Sequence, residues 1–440
     1  MPHSPTQHPK RKIVNDPVHG FITIPEGLPR QLIDHPALQR LRGITQLGLT
    51  SLVYPGATHT RFQHALGAMH LISAALDTLQ KKGYPITPQE QQAAAAAILL
   101  HDAGHGPMSH ALEHALIPHG HEQITLAIMH RLNHELNGQL DLAIAIFRNQ
   151  HPKPYLHQLI SSQLDVDRMD YLLRDSFFTG VVEGKIPADR LIKMLEIHNE
   201  DLALEYKALY SIESFLLARR VMYWQVYLHK TVIISEQLLR ALLTRAREIA
   251  QENGQAPPCT PTLADLLTLA PKRAQMLDDD LLDRFLAIDD SDLYLAIKTW
   301  QQHPDPTLST LAQAIHQRRL PRLYYTRQPA PPELINTLRQ AFHTLHPHLP
   351  PLVAERLIVR GTVRNRAYQG KRTTDESPRQ SGRPSGSTEI KLLTPQGEAI
   401  ALAEASRLIT PEFIAQDDSR NYLIVPKELD HLIPPELIAR

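Results

Sequence analysis

The sequence predicts a mainly α-helical protein with a small N-terminal hairpin and a small C-terminal α+β region. From residue 29 to about residue 250, apolar residues recur at three- and four-residue spacing, which is the period of amphipathic helices. Residues 12–24 place β-branched residues around two turn-forming pairs, Asp16-Pro17 and His19-Gly20, and this favours a β-hairpin. Strand-like patterns return near the C-terminus, in residues 356–368, 389–402 and 421–426.

Composition divides the chain into four predicted parts. At 440 residues it exceeds what a single hydrophobic core usually supports. The Pro-rich segment 251–262 is typical of a linker, and the polar segment 370–388, rich in Ser, Pro and Gly, is typical of a disordered loop. The predicted parts are a flexible N-terminal arm (1–11), a main helical domain (12–250), a helical extension after the linker (251–345) and a small α+β region (346–440).

Charge and cysteine content narrow the classes of partner. Lys plus Arg (46) equal Asp plus Glu (46), which argues against broad sequence-independent nucleic-acid binding, although a local basic patch stays possible. Cys259 is the single cysteine, so no intrachain disulfide can form and a reducing, cytoplasmic location is expected. No run approaches the roughly 20 apolar residues of a membrane span, so no membrane partner is expected.

The segment HDAGHGPMSH (residues 101–110) offers ligands for a metal. His101 and Asp102 supply one imidazole nitrogen and one carboxylate oxygen, which suit zinc, iron or manganese better than calcium. The pair ends an alanine-rich helix and precedes Gly104 and Gly106, which permit an irregular backbone. A single His-Asp dipeptide also arises by chance in a sequence with 25 histidines.

Two further segments strengthen the metal interpretation. RFQHALG places His64 at the start of a predicted helix. LDVDRMDYLLRDS places Asp167, Tyr171 and Asp175 at i, i+4 and i+8, on one helix face. Carboxylates on a largely apolar helix are costly to bury unless they are paired or bound to metal. The alternative is a surface network in which Arg168 and Arg174 pair with these carboxylates.

Taken together, these segments resemble the HD-domain phosphohydrolase superfamily. The ordered motifs KIVNDPVHG, IDHPALQRLRGITQLG, YPGATHTRFQHALG, HDAGHGPMSH, HEQ and DVDRMDY are most similar to the branch of deoxynucleoside triphosphate triphosphohydrolases that contains the vertebrate sterile-alpha-motif and HD-domain enzyme and its bacterial relatives. The similarity covers roughly residues 12–235. It implies a helical HD domain, one divalent metal ion (manganese, iron, magnesium or zinc) and hydrolysis of a deoxynucleoside triphosphate substrate to deoxynucleoside and tripolyphosphate.

The resemblance also implies roles for individual residues. Arg168 stands where relatives have lysine and Glu113 where they commonly have aspartate, while Leu228 replaces a glutamine near the base, which leaves the base preference open. The implied metal ligands are His64, His101, Asp102 and Asp167; the implied catalytic or phosphate-contacting residues are His105, His110, Glu113 and His121; the implied substrate-binding residues are Arg61, Arg168, Tyr171, Asp175, Arg219 and Tyr227.

A regulatory site is implied in the same way. Its residues match a guanine-nucleotide pocket that the branch shares between subunits, so a guanine nucleotide activator and a homo-oligomer, a dimer or a tetramer, are expected. The alternative is an amphipathic helix whose charged face is simply solvated. The implied contacts are Lys12, Asn15, Asp34, Gln39 and Arg42.

The chemistry of these side chains agrees with phosphoryl hydrolysis. In-line attack on the α-phosphorus needs a positioned water and an acid for the leaving group, and His110 and His121 are candidates because imidazole titrates near neutral pH. Arginines would neutralise the triphosphate. Two alternatives remain: an HD-type hydrolase of another nucleotide phosphoester, and a nucleotide-regulated nucleic-acid-binding protein with little turnover. The complete metal quartet disfavours the second, since a pure binder does not need it.

Overall fold

The computed structural model describes residues 12–365, 389–410 and 418–439. The prediction of a mainly α-helical chain is confirmed. The predicted flexible arm (1–11) and the predicted disordered loop (370–388) lie outside the described residues. None of the described helices combines the length and the apolar character needed to cross a lipid bilayer.

The predicted N-terminal hairpin is present. Its two strands pair antiparallel, with Asp16 opposite Gly20 at the turn, where Gly20 adopts a positive φ of 72°. Ile22 faces the core, whereas Phe21 is exposed. In chain order the strands are β1 (Ile13–Asp16), β2 (Gly20–Thr23), β3 (Leu195–His198), β4 (Asp201–Glu205), β5 (Arg322–Thr326), β6 (Val359–Arg364), β7 (Lys391–Leu393), β8 (Ala399–Ala401) and β9 (Ser419–Val425).

Most of the segment from residue 28 to residue 253 is helical. A π-helical turn, Tyr223–Tyr227, separates the last two helices of this region. The helices are α1 (Leu28–Ile33), α2 (Pro36–Gln39), α3 (Arg61–Lys81), α4 (Pro88–Leu100), α5 (His121–Glu135), α6 (Asp141–Phe147), α7 (Pro154–Ile160), α8 (Val166–Thr179), α9 (Ala188–Lys193), α10 (Leu209–Met222) and α11 (Lys230–Asn253).

Three of these helices form the framework of the candidate site. The alanine run of α4 is buried, and its small side chains let α4 pack closely against α3 and α6. On its other side α3 packs against α8. A Cβ at Gly67 of α3 would lie 1.9 Å from a carboxylate oxygen of Asp170 of α8, so this approach requires glycine.

The segment predicted as a helical extension also contains a strand. β5 pairs antiparallel with β9, which in turn pairs with β6, so this sheet has the order β5-β9-β6. The remaining helices are α12 (Pro261–Leu267), α13 (Pro271–Ala274), α14 (Asp279–Leu286), α15 (Asp290–Trp300), α16 (Pro306–His316), α17 (Pro332–Leu345), α18 (Pro351–Leu357) and α19 (Leu402–Ala405).

The strands predicted near the C-terminus form but divide between two sheets. β6 and β9 join β5, whereas β7 and β8 extend the β3–β4 hairpin to a four-stranded sheet with the order β3-β4-β7-β8. A two-stranded hairpin is marginally stable alone, and further strands stabilise it. The pattern of β-branched residues predicts strands but does not identify partners far away in the chain.

Candidate active site

The C-terminus of α4 positions the His-Asp pair. The helix begins at a capping box formed by Thr87 and Glu90, and its last turn is buried. His101 follows the last helical residue, and its Nδ1 donates a hydrogen bond to the carbonyl oxygen of Ile98 at 2.6 Å. Because the hydrogen is on Nδ1, the Nε2 atom of His101 presents a lone pair.

His64 lies in the first turns of α3 and is fully buried. Its Nδ1 donates to Oδ2 of Asp170 at 2.7 Å, since a carboxylate can only accept. Its Nε2 lies 3.2 Å from Oδ1 of Asp167. Asp167 is in the first turn of α8, where the helix dipole favours a negative charge.

These side chains form a cluster that fits a divalent metal ion. Ligand atoms of His64, His101 and Asp167 all lie within 4.8 Å of one another. The carboxylate of Asp102 adjoins them, 3.3 Å from Nε2 of His101 and 3.7 Å from Nε2 of His64. Among the described residues, neither Nε2 atom has a hydrogen-bond partner, although both are buried. Two open imidazole nitrogens beside two carboxylates are a donor set for zinc, iron or manganese.

Electrostatics also favour a cation at this position. Burial lowers the pKa of His64, but the carboxylates of Asp167 and Asp170 outweigh it and raise the pKa to about 10. Burial also opposes the charge on Asp167, but His101 and His64 outweigh it and hold the pKa of Asp167 well below its usual value. The cluster therefore attracts positive charge, which a metal ion supplies in place of a proton.

A loop after α4 brings further histidines beside the cluster. The rings of His105 and His121 stack with centroids 4.1 Å apart, and Nε2 of His105 lies 3.4 Å from Oδ1 of Asp102. Nδ1 of His121 lies 2.6 Å from Oε1 of Glu113. Burial, together with the charge of Arg61, holds the pKa of His105 well below its usual value. The side chain of His110 lies outside the part of the chain that the structure describes.

Side chains of two later helices, α11 and α15, form hydrogen bonds with the backbone of this loop. Asp290 of α15 accepts hydrogen bonds from the backbone N–H of Met108 at 2.7 Å and of Thr45 at 2.8 Å. Arg240 and Arg247 of α11 donate to loop carbonyl oxygens, Arg240 to that of Ala111 at 2.7 Å. These contacts support an irregular backbone with positive φ at Met108 (55°), Ser109 (52°) and His114 (62°).

The three candidate phosphate-binding arginines are buried around the cluster. Arg61 pairs with Asp102 and donates to Oγ of Ser109 at 2.9 Å. Arg168 pairs with Asp165, the N-terminal capping residue of α8.

Arg219 approaches Oε1 of Gln163 at 3.4 Å and lies over the ring of Tyr223, 5.9 Å from its centroid. The alternative of a surface network is wrong for both α8 arginines. Both arginines are buried: Arg168 forms an ion pair with Asp165, and Arg174 forms one with Asp170.

The other predicted substrate residues are Asp175 and two tyrosines, Tyr171 and Tyr227, which we call the aromatic wall. The rings of Tyr171 and Tyr227 meet edge-on with centroids 6.2 Å apart, and the Tyr227 hydroxyl donates to Oδ2 of Asp175 at 2.7 Å. Nε2 of His59 lies 2.7 Å from the other oxygen of Asp175. Burial raises the pKa of both tyrosines, so their hydroxyls stay protonated: the Tyr227 hydroxyl donates to Asp175, and the Tyr171 hydroxyl can donate to a ligand.

The predicted regulatory residues lie at the surface around α1, α2 and the hairpin. Nζ of Lys12 is 2.6 Å from Oδ1 of Asp34, and Asn15 is exposed on β1. Arg42 donates to Oε1 of Gln39 at 2.8 Å and lies 3.8 Å from the ring centroid of Phe62. The structure brings Lys12 to Asp34 and Arg42 to Gln39.

Sequence reasoning missed four residues that hold the site. Asp170 occurs in the quoted motif DVDRMDY, and its spacing of i+3 from Asp167 was a signal that it shares the same helix face. His19 and Arg174 occur in quoted motifs as well. His19 reaches Asp170 across 151 residues, whereas Arg174 lies four residues after Asp170 on α8, a spacing that was itself a signal of an ion pair. Asp290 carried no local signal, because its role arises from a contact across 182 residues.

Comparisons with known proteins agree with this geometry. The HD domain family model matches residues 61–175, and the HD associated region model matches residues 186–257. The Bacillus subtilis uncharacterized protein YwfO is 31% identical over 322 residues, which is 71% of this chain and 71% of that protein. A crystal structure of a phosphohydrolase from Bacteroides thetaiotaomicron superposes with a TM-score of 0.87 at 41% identity, and the match covers 95% of this chain and 100% of that one.

A named enzyme is also similar over part of its length. The Dictyostelium discoideum homolog of the deoxynucleoside triphosphate triphosphohydrolase SAMHD1 is 28% identical over 264 residues. That match covers 56% of this chain and 51% of the relative, so about half of the relative has no counterpart in the aligned region.

Proposed function

Because this chain belongs to the HD-domain phosphohydrolase superfamily, we propose that it hydrolyses deoxynucleoside triphosphates to deoxynucleoside and inorganic tripolyphosphate. The observation that carries the proposal is the pair of buried Nε2 atoms, on His64 and His101, that face two carboxylates without a hydrogen-bond partner among the described residues. The Dictyostelium discoideum relative, a homolog of a deoxynucleoside triphosphate triphosphohydrolase, supports the choice of substrate.

His64, His101, Asp102 and Asp167 would hold one divalent ion. When bound, such an ion polarises a phosphoryl oxygen and lowers the pKa of bound water. The protein contributes rigidity: Ile98 and Asp170 occupy the Nδ1 atoms of the two histidines, so both rings keep Nε2 directed at the cluster.

We assign proton transfer to the loop between α4 and α5 together with His121 at the start of α5, and we call this segment the histidine loop. Attack of water on the α-phosphorus breaks its bond to the 5′-oxygen of the nucleoside, and that oxygen must gain a proton. His121 is the proposed acid, and Glu113 orients its ring through Nδ1 at 2.6 Å. His105, kept neutral by burial and by Arg61, lies between His121 and Asp102 and is the proposed partner that positions the water. His110 remains a second candidate acid.

The arginines and the aromatic wall would bind the nucleotide. Arg61, Arg168 and Arg219 supply positive charge for the triphosphate. Tyr171 and Tyr227 offer ring faces and hydroxyl groups to the sugar, and Asp175 is already fixed by Tyr227 and His59, so it is pre-oriented as an acceptor for a sugar hydroxyl.

A guanine nucleotide activator and a homo-oligomer belong to the same proposal. Arg42, held against Phe62, presents a planar guanidinium that can stack on a purine or bond to its edge, and Lys12 can meet phosphates once it leaves Asp34. A nucleotide that bridges subunits adds binding energy only to the assembled state, and so it favours a larger oligomer.

Product analysis tests the proposal and separates it from an HD-type hydrolase of another phosphoester. The protein is incubated with Mn²⁺ and each deoxynucleoside and ribonucleoside triphosphate, with and without GTP, and products are separated by anion-exchange chromatography. Deoxynucleoside and tripolyphosphate in equal amounts support the proposal. Orthophosphate or pyrophosphate instead would assign another phosphoester, and retention of single-stranded nucleic acid without turnover would assign the binding function. The doubly substituted His101→Ala, Asp102→Ala protein is the inactive control.

A further inference from the structure

The turn of the N-terminal hairpin is built into the interior next to α8. One oxygen of Asp16 accepts hydrogen bonds from the backbone N–H groups of Val18 at 2.9 Å and His19 at 3.0 Å, which shapes the turn. Asp16 is itself buried, and the His19 side chain is only 7% exposed. The turn thus directs an imidazole ring inward from a peripheral two-stranded element.

His19 meets a carboxylate that also binds the candidate metal ligand. Nε2 of His19 lies 2.6 Å from Oδ1 of Asp170, and Nδ1 of His64 lies 2.7 Å from Oδ2 of the same carboxylate. Arg174 donates to both oxygens at 3.0 Å and to Asp16 at 2.8 Å. Asp170 and Arg174 are fully buried, and only glycine at position 67 leaves room for them beside α3.

We infer that His19 is a positioning residue that fixes the orientation of His64 through Asp170, so that the affinity of the metal site depends on the N-terminal hairpin. Outer hydrogen bonds to a metal-binding imidazole set its tautomer and ring orientation, and their loss typically costs 10–100-fold in metal affinity. His19 holds one oxygen of Asp170 and His64 is held by the other, so removal of His19 leaves that first oxygen to Arg174 alone and fixes the carboxylate plane less firmly. This inference rests on the proposed function only in treating His64 as a metal ligand.

If His19 only attached the hairpin to α8, its loss would lower the melting temperature. The hairpin has other anchors: Arg174 pairs with Asp16, and Ile22 and Ile24 are buried in the core. Loss of His19 should therefore leave the hairpin attached and the melting temperature nearly unchanged, while Asp170, the hydrogen-bond partner of His64, loses one of its own hydrogen bonds.

The experiment compares Mn²⁺ binding by isothermal titration calorimetry in the full chain and in the His19→Ala and His19→Gln variants. His19→Ala should bind Mn²⁺ about 10-fold more weakly, the low end of the loss for a direct partner of a metal ligand, because Asp170 itself remains. His19→Gln should retain part of the affinity, because an amide N–H can still donate to Asp170. Turnover of His19→Ala should recover in excess Mn²⁺ with an unchanged KM for nucleotide. His130→Ala, an exposed histidine on α5, is the matched control and should match the wild type.

Four outcomes would contradict the inference, the proposed function or both. Unchanged Mn²⁺ affinity in His19→Ala overturns the inference. Equal losses of affinity in both variants together with a large fall in melting temperature assign a structural role and also overturn it. A wild-type protein that binds Mn²⁺ but hydrolyses no nucleotide contradicts the proposed function while leaving the role of His19 to be decided by the same titrations; a wild-type protein that binds no metal contradicts both.

Discussion

The metal cluster and the histidine loop lie side by side but are held in different ways. His64, His101 and Asp167 project from α3, α4 and α8, and their orientation is set within the helical bundle by Ile98 and Asp170. His105 and His121 flank a loop whose backbone is held from α11 and α15. We therefore expect metal binding to depend on the helical bundle and the N-terminal hairpin, and proton transfer to depend also on the region after residue 230.

The largest expected effect is loss of the metal. Asp167→Ala should abolish both metal content and turnover, because it removes a proposed ligand that adjoins both buried Nε2 atoms and leaves Asp102 to balance the charge of the ion. Elemental analysis and a nucleotide assay measure the two losses. Asp77→Asn, an exposed aspartate on α3, is the control and should retain both. Full turnover of Asp167→Ala without metal would contradict the assignment of the cluster.

The second-largest effect should be a loss of turnover without a loss of metal, which would distinguish the role of the loop from that of the metal cluster. His121→Gln should lower kcat by about 100- to 10,000-fold, the usual contribution of a general acid or base, while metal content stays unchanged. His130→Gln on the same helix should behave like the wild type. Loss of metal from His121→Gln would show that the loop and the cluster are not separable in this way.

Asp290 tests whether α15 holds the loop. Its two oxygens accept from Met108 N–H and from both N–H and Oγ of Thr45, so Asp290→Asn must turn an amide donor toward one of these donors. A stability loss of about 1–3 kcal/mol is expected, concentrated in the loop, with retained metal content. Amide hydrogen exchange should accelerate at residues 104–116. Exchange that accelerates equally in α3 and α4 would contradict a local role, and Asp279→Asn on α14 is the matched control.

The smallest effect concerns Glu236, one turn before Arg240 on α11. Burial raises the pKa of Glu236 to about 7, from an ordinary value near 4.5. The folded state thus binds a proton more tightly than the unfolded state, so its contribution to stability is complete below about pH 4.5 and is lost as pH rises through 7. Glu236→Gln should remove this dependence and melt a few degrees above the wild type at pH 8. If the melting temperatures of the two proteins changed with pH in the same way between pH 5 and pH 8, this prediction would be contradicted.

How much of this could be predicted from sequence differs between the two regions. Helical periodicity predicted the helices that carry His64, His101 and Asp167. Their grouping as metal ligands came from the short motifs and their resemblance to a known family, because periodicity does not show which helices meet. The stacking of His105 on His121 could not be predicted, since the loop has no regular geometry. Asp290 could not be found either, because nothing near it in sequence shows that it reaches Met108.

The same limit applies to the sheets. Residues 389–402 were correctly predicted to contain strands, yet β7 pairs with β4, almost 190 residues earlier in the chain. β-Branched residues indicate a pleated, half-buried backbone, whereas the choice of partner depends on which sheet edge is left open after the helices pack. The role of His19 was hidden for a related reason: its partner Asp170 is 151 residues away.

The most direct test of the account is a parallel titration of metal-free wild-type protein with Mn²⁺. Calorimetry measures binding, and release of tripolyphosphate from a deoxynucleoside triphosphate measures activity. We predict one ion per chain and the same midpoint for both curves, because the proposed ligands His64, His101, Asp102 and Asp167 would form one site on which hydrolysis depends. Hydrolysis by the metal-free protein, or an activity curve that is flat while the binding curve rises, would contradict it.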